Sequence, residues 1–101
     1  CKSVSRATLK RLPMYYRYLL DLQRVGDKNI SSAKIAIDMD LSPIQVRKDL
    51  ACVSSIAGKP KTGFDVDELI KDISKFLVLL YHLLSNVFSK VLNISPLLTI
   101  L

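Results

Sequence analysis

The stretch that decides the fold covers residues 31–51 and reads SSAKIAIDMDLSPIQVRKDLA. Ser31 or Ser32 can cap a helix of about two turns, because a serine oxygen accepts from the free N–H groups of a first helical turn. Asp40 stands where the chain must turn, and aspartate tolerates a left-handed backbone better than most residues. Ser42, followed by proline, starts a second helix. Two short helices joined by so tight a turn predict a helix-turn-helix.

The second helix of the pair has one apolar face, with Val46, Leu50 and Val53 at helical spacing. The polar residues on its other faces include Gln45, Arg47 and Lys48. The second helix is strongly capped and basic, as in a helix-turn-helix, although many helical proteins contain a short corner of two helices.

A basic segment follows the helix pair. Residues 54–64 are rich in Ser and Gly, with Lys59 and Lys61 at their centre and Ile56 and Phe64 as apolar anchors. This pattern predicts a two-stranded hairpin with a basic tip, a wing. A solvated basic loop is the alternative, and the preceding helix pair favours the wing.

Longer helices flank these elements. One begins after Ser5, and Pro13 either breaks it or starts a new helix. Another begins with Asp65 and Glu68, which resemble a capping box, and continues to about Leu92. The sequence therefore predicts a mainly α fold with a small β-hairpin: a winged helix-turn-helix with an extended C-terminal helix.

Positive charge is concentrated in the first part of the chain. The 101 residues carry 15 Lys and Arg against 9 Asp and Glu, a net charge of +6. Residues 1–61 alone carry +7, residues 62–76 carry −2, and residues 77–101 hold a single charge, Lys90. A basic body indicates an anionic partner, nucleic acid first and a membrane surface second.

The sequence offers little to catalysis or metal binding. Its one histidine, His82, has no Cys, Asp or Glu near it. An active site needs convergent polar groups, so we expect no enzyme, no catalytic residue and no metal. Cys1 and Cys52 have no metal-ligand spacing, and we expect two free thiols in a reducing cytoplasm. No apolar signal-peptide segment stands at the N-terminus, in agreement with a cytoplasmic location.

Four strings in register resemble a known family. They are RATLKRLPMYYRYL at residues 6–19, ISS at 30–32, VRKDL at 46–50 and GKPKTGFDVDELI at 58–70. Together they closely resemble the N-terminal domain of Rex, the bacterial redox-sensing transcriptional repressors, over about residues 4–76. VRKDL alone would be a weak signal, whereas four motifs at near-constant spacing are specific.

The resemblance implies a homodimeric repressor whose winged-helix domains bind AT-rich inverted repeats in double-stranded DNA. The helix that carries VRKDL would enter the major groove, and the wing would reach the adjacent minor groove. The residues assigned in this way are Gln45, Arg47 and Lys48 to the major groove, Lys59 and Lys61 to the minor groove, and Arg11, Arg17, Ser31 and Ser32 to phosphates.

The chain departs from the family pattern after Phe76. Rex proteins continue into a Rossmann domain that opens with a Gly-rich fingerprint for NADH, and no glycine follows Phe76 here. A G-x-G-x-x-G turn cannot form without glycine, so we expect no NADH binding and no cofactor. We divide the chain into a winged-helix DNA-binding domain at residues 1–76 and an apolar helical tail at residues 77–101.

The tail has three interpretations: a partner helix, a membrane-seeking segment, or the product of a truncated or frameshifted gene. Polar residues and Pro96 interrupt it, so a membrane span is not expected. We expect a homodimer through residues 69–92, because one small domain covers only one face of this helix and twofold pairing suits an inverted repeat. The alternative function is a protein-interaction or membrane-surface module that uses the tail.

Overall fold

The computed structural model describes residues 4–54 and 63–92. These residues form four helices and two short strands. In chain order the elements are α1 (Arg6–Arg24), β1 (Asn29–Ile30), α2 (Ser32–Met39), α3 (Pro43–Ala51), β2 (Phe64–Asp65) and α4 (Val66–Leu92). The predicted fold class, mainly α with a small β component and a long last helix, is confirmed.

The first helix, α1, is longer than the sequence pattern predicted. We expected Pro13 to end one helical segment or to start another, but α1 continues through Pro13 without a break. Leu12, Tyr15 and Leu19 are buried on one face of this helix. Burial of each large apolar side chain contributes about 1.5–3 kcal/mol, which together exceeds the roughly 3 kcal/mol that a proline inside a helix costs.

A glycine ends α1. Gly26 has a φ of +91°, in the left-handed region that side chains other than glycine rarely adopt. The Gly26 N–H donates to Gln23 O at 3.1 Å, and the Asp27 N–H donates to Leu22 O at 3.0 Å. These two bonds form a Schellman motif, which satisfies the last carbonyl groups of the helix.

The helix-turn-helix has the predicted caps. Ser31 Oγ accepts from the Lys34 N–H at 3.0 Å, so Ser31 rather than Ser32 caps α2. Asp40 adopts the left-handed conformation with a φ of 56°, and Ser42 Oγ accepts from the Gln45 N–H at 3.1 Å to cap α3. Short-range hydrogen bonds therefore set the turn and the start of both helices.

The two strands pair with each other in antiparallel register, Asn29 with Asp65 and Ile30 with Phe64. Sequence analysis expected the strand at Phe64 to pair within the wing and did not find β1. Gly63 is necessary beside β2, because its φ is +72° and a Cβ atom there would lie 2.5 Å from Ile30 O. The rest of the predicted wing, residues 55–62, lies outside the described residues.

One apolar core joins all the elements. Its buried members are Leu12, Tyr15, Leu19, Ile30, Ile35, Ala36, Val46, Leu50, Phe64, Val66, Leu69, Ile70 and Ile73. Phe76 and Leu77 pack against its edge, and from Val78 to Leu92 the apolar side chains of α4 are mostly exposed. α4 therefore has a packed first part and an exposed second part within one unbroken helix.

Length and apolarity alone make α4 a candidate for crossing a membrane, and it is the one such helix among the described residues. Its first two turns, however, hold Val66, Leu69, Ile70 and Ile73 in the core of the domain. The exposed remainder, residues 77–92, is shorter than the about 20 residues that a spanning helix needs. The packing of α4 is thus that of a domain helix with a projecting end.

Cysteine chemistry differs from the expectation. Cys52 is disulfide-bonded, so the prediction of a free thiol at this residue is wrong. Spacing in the sequence does not report which cysteines the fold brings together, whereas disulfide formation depends on distance in the folded chain. Across residues 4–54 and 63–92, no group of three or more His, Cys, Asp or Glu residues is arranged to hold a metal ion.

Candidate nucleic-acid interface

Helix α3 has one buried face and one exposed face. Val46, Asp49 and Leu50 have no solvent exposure. Arg47 and Lys48, both assigned to the major groove from the sequence, are exposed on the opposite side. An exposed basic helix face of this kind has the shape and charge that fit the DNA major groove.

The buried face of α3 is attached to α1 through the carboxylate of Asp49. Thr8 Oγ1 donates to Asp49 Oδ1 at 2.8 Å, and the Tyr15 hydroxyl donates to Oδ2. Arg11 donates from Nε to Oδ2 at 2.6 Å and from Nη2 to Oδ1 at 3.1 Å. Gln45 Nε2 donates to Oδ1 at 2.8 Å. Because these bonds are directional, this Asp49 network fixes the orientation of α3 on α1.

The protonation states in the Asp49 network are strongly biased. Burial alone raises the pKa of the Asp49 carboxyl, but the hydrogen bonds from Arg11, Tyr15, Thr8 and Gln45 outweigh it and hold this pKa at about 2. Burial, followed by the bond to Asp49, raises the pKa of the Tyr15 hydroxyl. The hydrogen bond to Asp49 is the main cause that raises the pKa of Arg11. At neutral pH the network therefore holds an ionised acceptor and protonated donors.

Two residues assigned to DNA from the sequence are bound to Asp49. Arg11 uses Nε and Nη2 in this bond, and its side chain is 22% exposed. Gln45 uses its amide nitrogen and is half-buried. After these bonds Arg11 keeps both N–H groups of Nη1 and one of Nη2, and Gln45 keeps Oε1 and one N–H of Nε2. Arg11 holds α3 on α1, and Gln45 orients the Asp49 carboxylate from within α3; neither role was predicted, and the contact of both residues with DNA stays a prediction.

The residues assigned to phosphates lie on two elements. Arg17 is exposed on α1, Ser31 is exposed at the start of α2, and Ser32 beside it is half-buried. Ser31 accepts a hydrogen bond as the cap of α2, and its hydroxyl proton remains able to donate to a phosphate oxygen.

The wing lysines are not among the described residues: Lys59 and Lys61 fall within residues 55–62. The chain returns to the described fold at Gly63, whose Cα lies close against Ile30 and the backbone of Ser31. Gly63 therefore lies beside the N-terminus of α2.

Thr8, Tyr15 and Asp49 are the members of the network that sequence analysis did not single out as functional. Asp49 stands between Val46 and Leu50 on the face of α3 that the sequence already predicted to be buried. A buried carboxylate without donors is costly, so an aspartate in that position indicates that donors face it. The donors on α1 lie 34 to 41 residues from Asp49 in the sequence, so the packing of α1 on α3 decides which residues they are.

Comparison with known proteins supports a DNA-binding domain. Residues 3–51 match the family described as "Putative DNA-binding protein N-terminus". The redox-sensing transcriptional repressor Rex of Brevibacillus brevis is 41% identical over 78 residues, which are 77% of this chain and 37% of that protein. Rex of Treponema denticola is 43% identical over 70 residues, 69% of this chain and 33% of that protein. The chain spans about a third of the length of these relatives.

Two solved structures of a Rex-family protein also match this chain. The structure of RSP, in complex with β-NAD⁺ and operator DNA, matches with a TM-score of 0.68 and 35% identity over 76% of this chain and 35% of RSP. A second structure, of RSP described as a Rex-family repressor, gives a TM-score of 0.64 and 34% identity over 78% of this chain and 35% of RSP. The chain therefore belongs to the Rex family and corresponds to the N-terminal winged-helix domain of its members.

Proposed function

We propose that this chain is a transcriptional repressor domain that binds AT-rich inverted repeats in double-stranded DNA, with α3 in the major groove. The observation that carries the proposal is the exposed face of α3 with Arg47 and Lys48, held on α1 by the buried Asp49 network. A helix that reads base edges must keep a fixed orientation, and a fully hydrogen-bonded buried carboxylate supplies it. Operator DNA bound to RSP, which shares this fold, supports the same role here.

Charge supports a DNA partner over an uncharged one. Residues 1–61, which contain α1, α2 and α3, carry a net charge of +7. Each phosphate that a lysine or arginine neutralises releases counterions, so binding should weaken steeply as salt rises. We assign Arg17, Ser31 and Ser32 to phosphates and Lys59 and Lys61 to the minor groove. A narrow A·T minor groove attracts inserted cations through its enhanced negative potential.

The second part of α4 suits pairing between two copies of the chain. The apolar residues along one side of α4 alternate in steps of four and three: Val66, Ile70, Ile73, Leu77, Leu80, Leu84, Val87 and Val91. The first three are buried in the domain, whereas Leu84, Val87 and Val91 are 60%, 55% and 74% exposed. A repeat of 3.5 residues is the spacing with which two helices pack along their length. Leu69, Ile70 and Ile73 pack inside the domain, so of the expected interface at residues 69–92 we propose the exposed second part of α4 for a homodimer. This homodimer would present two α3 helices to the two halves of an inverted repeat.

A matched pair of variants tests the dimer. Leu84→Glu with Val87→Glu places charge on the apolar side, and we expect light scattering to give the monomer mass for this variant and twice that mass for the unaltered chain. Ser85→Glu with Ser89→Glu adds the same charge on the polar side of α4 and should leave the dimer intact. A monomeric unaltered chain at high micromolar concentration would contradict the homodimer.

We propose that this chain has no response to NADH. No glycine follows Phe76, so the chain contains no G-x-G-x-x-G turn to hold a pyrophosphate. Isothermal titration of the chain with NADH should show no saturable binding, and NADH should not change its affinity for DNA. Saturable binding at micromolar NADH would contradict this.

The experiment that tests the proposed function starts from a pool of duplexes with a random central segment. We expect repeated rounds of binding to the full chain to enrich an AT-rich inverted repeat. Fluorescence anisotropy with the enriched duplex and with a scrambled duplex, each at two salt concentrations, then measures preference and salt dependence. A large preference that survives the higher salt supports specific recognition.

The alternative is a protein-interaction or membrane-surface module that uses the exposed part of α4. Equal, weak binding to every duplex, together with solubility that depends on detergent, would favour it. We propose a cytoplasmic location, where a bacterial repressor meets its operators, and the proposed DNA-binding role requires no catalytic group.

A further inference from the structure

The centre of the exposed face of α3 is apolar. Ile44, the second residue of α3, is 59% exposed and lies opposite the buried positions Val46 and Leu50. Arg47 and Lys48 follow at three and four residues, a spacing that places them beside Ile44 on one helix face. The face proposed to meet DNA is therefore a branched apolar side chain flanked by two cations.

Packing inside the domain does not explain Ile44. It belongs neither to the buried core nor to the partly buried residues that pack against that core in the described part of the chain. Single exposed apolar residues are common and by themselves carry no meaning. Position is what distinguishes Ile44, because it stands where the recognition helix would approach the floor of the groove.

The chemistry of the major groove offers one apolar group. Each base pair presents hydrogen-bond donors and acceptors there, and thymine alone adds a C5-methyl group. An apolar side chain at the tip of a recognition helix contacts this methyl and excludes water from both surfaces. The cations on either side of Ile44 are placed to contact phosphates or guanine, and Ile44 has no group that can form a hydrogen bond.

We propose that Ile44 is a specificity-determining residue that reads the C5-methyl group of a thymine in the major groove. This inference rests on the proposed function. It adds which base the Ile44 side chain recognises and which group on that base it contacts. It also places base reading on the face of Ile44, Arg47 and Lys48, while Gln45 is turned toward Asp49.

Replacement of thymine by deoxyuridine tests this directly, since the two bases differ only by the methyl group. The full chain is titrated with its enriched duplex and with duplexes in which each thymine in turn is deoxyuridine. We expect one position per half-site to lose about fourfold in affinity, the contribution of one buried methyl group. At that position the Ile44→Ala chain should bind the thymine and deoxyuridine duplexes equally.

A matched control is Ile37→Ala, which removes the same atoms from an exposed isoleucine of α2. This variant should keep the fourfold difference between thymine and deoxyuridine. Thermal unfolding of both variants checks that the fold is retained, which is expected because both side chains are exposed.

The outcomes separate two claims. If the chain enriches a duplex but no deoxyuridine substitution changes its affinity, or if Ile44→Ala keeps the full difference, the role of Ile44 is contradicted while the proposed function stands. If no duplex is enriched, the proposed function is contradicted and the role of Ile44 with it.

Discussion

The recognition helix α3 and the last helix α4 both pack on α1, but they do so through different chemistry. The contact of α3 has at its centre the ionised carboxylate of Asp49, with donors from Thr8, Arg11 and Tyr15 of α1. The packed part of α4 contributes the apolar side chains of Val66, Leu69, Ile70 and Ile73 to the core. Its hydrogen bond with α1, from Gln23 Nε2 to Asp67 Oδ1 at 2.8 Å, lies at the exposed surface, so apolar packing carries this contact.

This difference shows which of the two contacts fixes the orientation of a helix on α1. Apolar packing is non-directional, so an apolar contact tolerates small shifts and substitutions of similar volume. Hydrogen bonds to a buried carboxylate are satisfied in one arrangement, and any other arrangement leaves polar groups unpaired. Helix α3, which we propose meets DNA, is held on α1 by directional hydrogen bonds. Helix α4 is held on α1 mainly by apolar packing, which tolerates small shifts.

The largest expected effect comes from removing the carboxylate. Asp49→Ala leaves the hydroxyls of Thr8 and Tyr15 without their acceptor and should lower the free energy of unfolding by about 3–5 kcal/mol. Urea unfolding at neutral pH and fixed protein concentration measures it. Asp38→Ala is the control, because Asp38 bonds Tyr18 and Lys34 at the exposed surface, where solvent screens the interaction, so its removal should lower the free energy of unfolding much less. Equal losses for the two variants would mean that the Asp49 network does not hold α3.

Acid should weaken the contact that Asp49 makes between α3 and α1, by a smaller amount than Asp49→Ala does. The pKa of Asp49 is about 2 in the fold, below the value of 3.8 that is ordinary for an aspartate, so the ionised form stabilises the folded chain. This contribution is complete above about pH 4 and is lost as the pH falls toward 2, and it amounts to about 2 kcal/mol.

Unfolding by urea at pH 5 and at pH 2.5 measures the acid effect. Asp49→Asn has no carboxyl at this site, so its stability should fall less over the same interval than that of the unaltered chain. If both chains lose the same free energy, Asp49 is not the group that titrates.

The smallest expected effect is on the apolar contact. Ile73→Val removes one methylene from the core and should cost about 0.5–1.5 kcal/mol of stability. Because an apolar contact tolerates this change, the preference for the enriched duplex over a scrambled one should not change. Anisotropy titrations of this variant check it, and a loss of preference would show that α4 also sets the orientation of α3.

Local signals made much of this fold predictable. Ser31, Asp40 and Ser42 set the turn and the caps of the helix-turn-helix through bonds that span only three or four residues. Asp65 likewise accepts from the Glu68 N–H at 2.9 Å at the start of α4, as its spacing predicted. Patterns of this range can be read directly from the sequence.

What was not predicted depends on residues distant in the sequence. β1 exists because Asn29 and Ile30 meet Phe64 and Asp65, and the continuity of α1 through Pro13 depends on burial against the other helices. The bonds from α1 to Asp49 join residues 34 to 41 positions apart, so nothing near Arg11 indicated that it would bind Asp49. Gln45 is only four residues from Asp49 on the same helix, and this spacing could have been used to predict their bond. The contacts of Lys59 and Lys61 stay predictions from the resemblance.

One measurement tests the central claim, that the exposed face of α3 reads DNA sequence. Full chains with Arg47→Ala and with Arg17→Ala are titrated with the enriched and the scrambled duplex over a range of salt concentrations. Arg47→Ala should lose about 1–3 kcal/mol on the enriched duplex and most of its preference. Arg17→Ala should weaken binding to both duplexes alike and lower the salt slope by about one unit. Identical behaviour of the two variants would contradict the claim, because α3 would then contribute charge without reading bases.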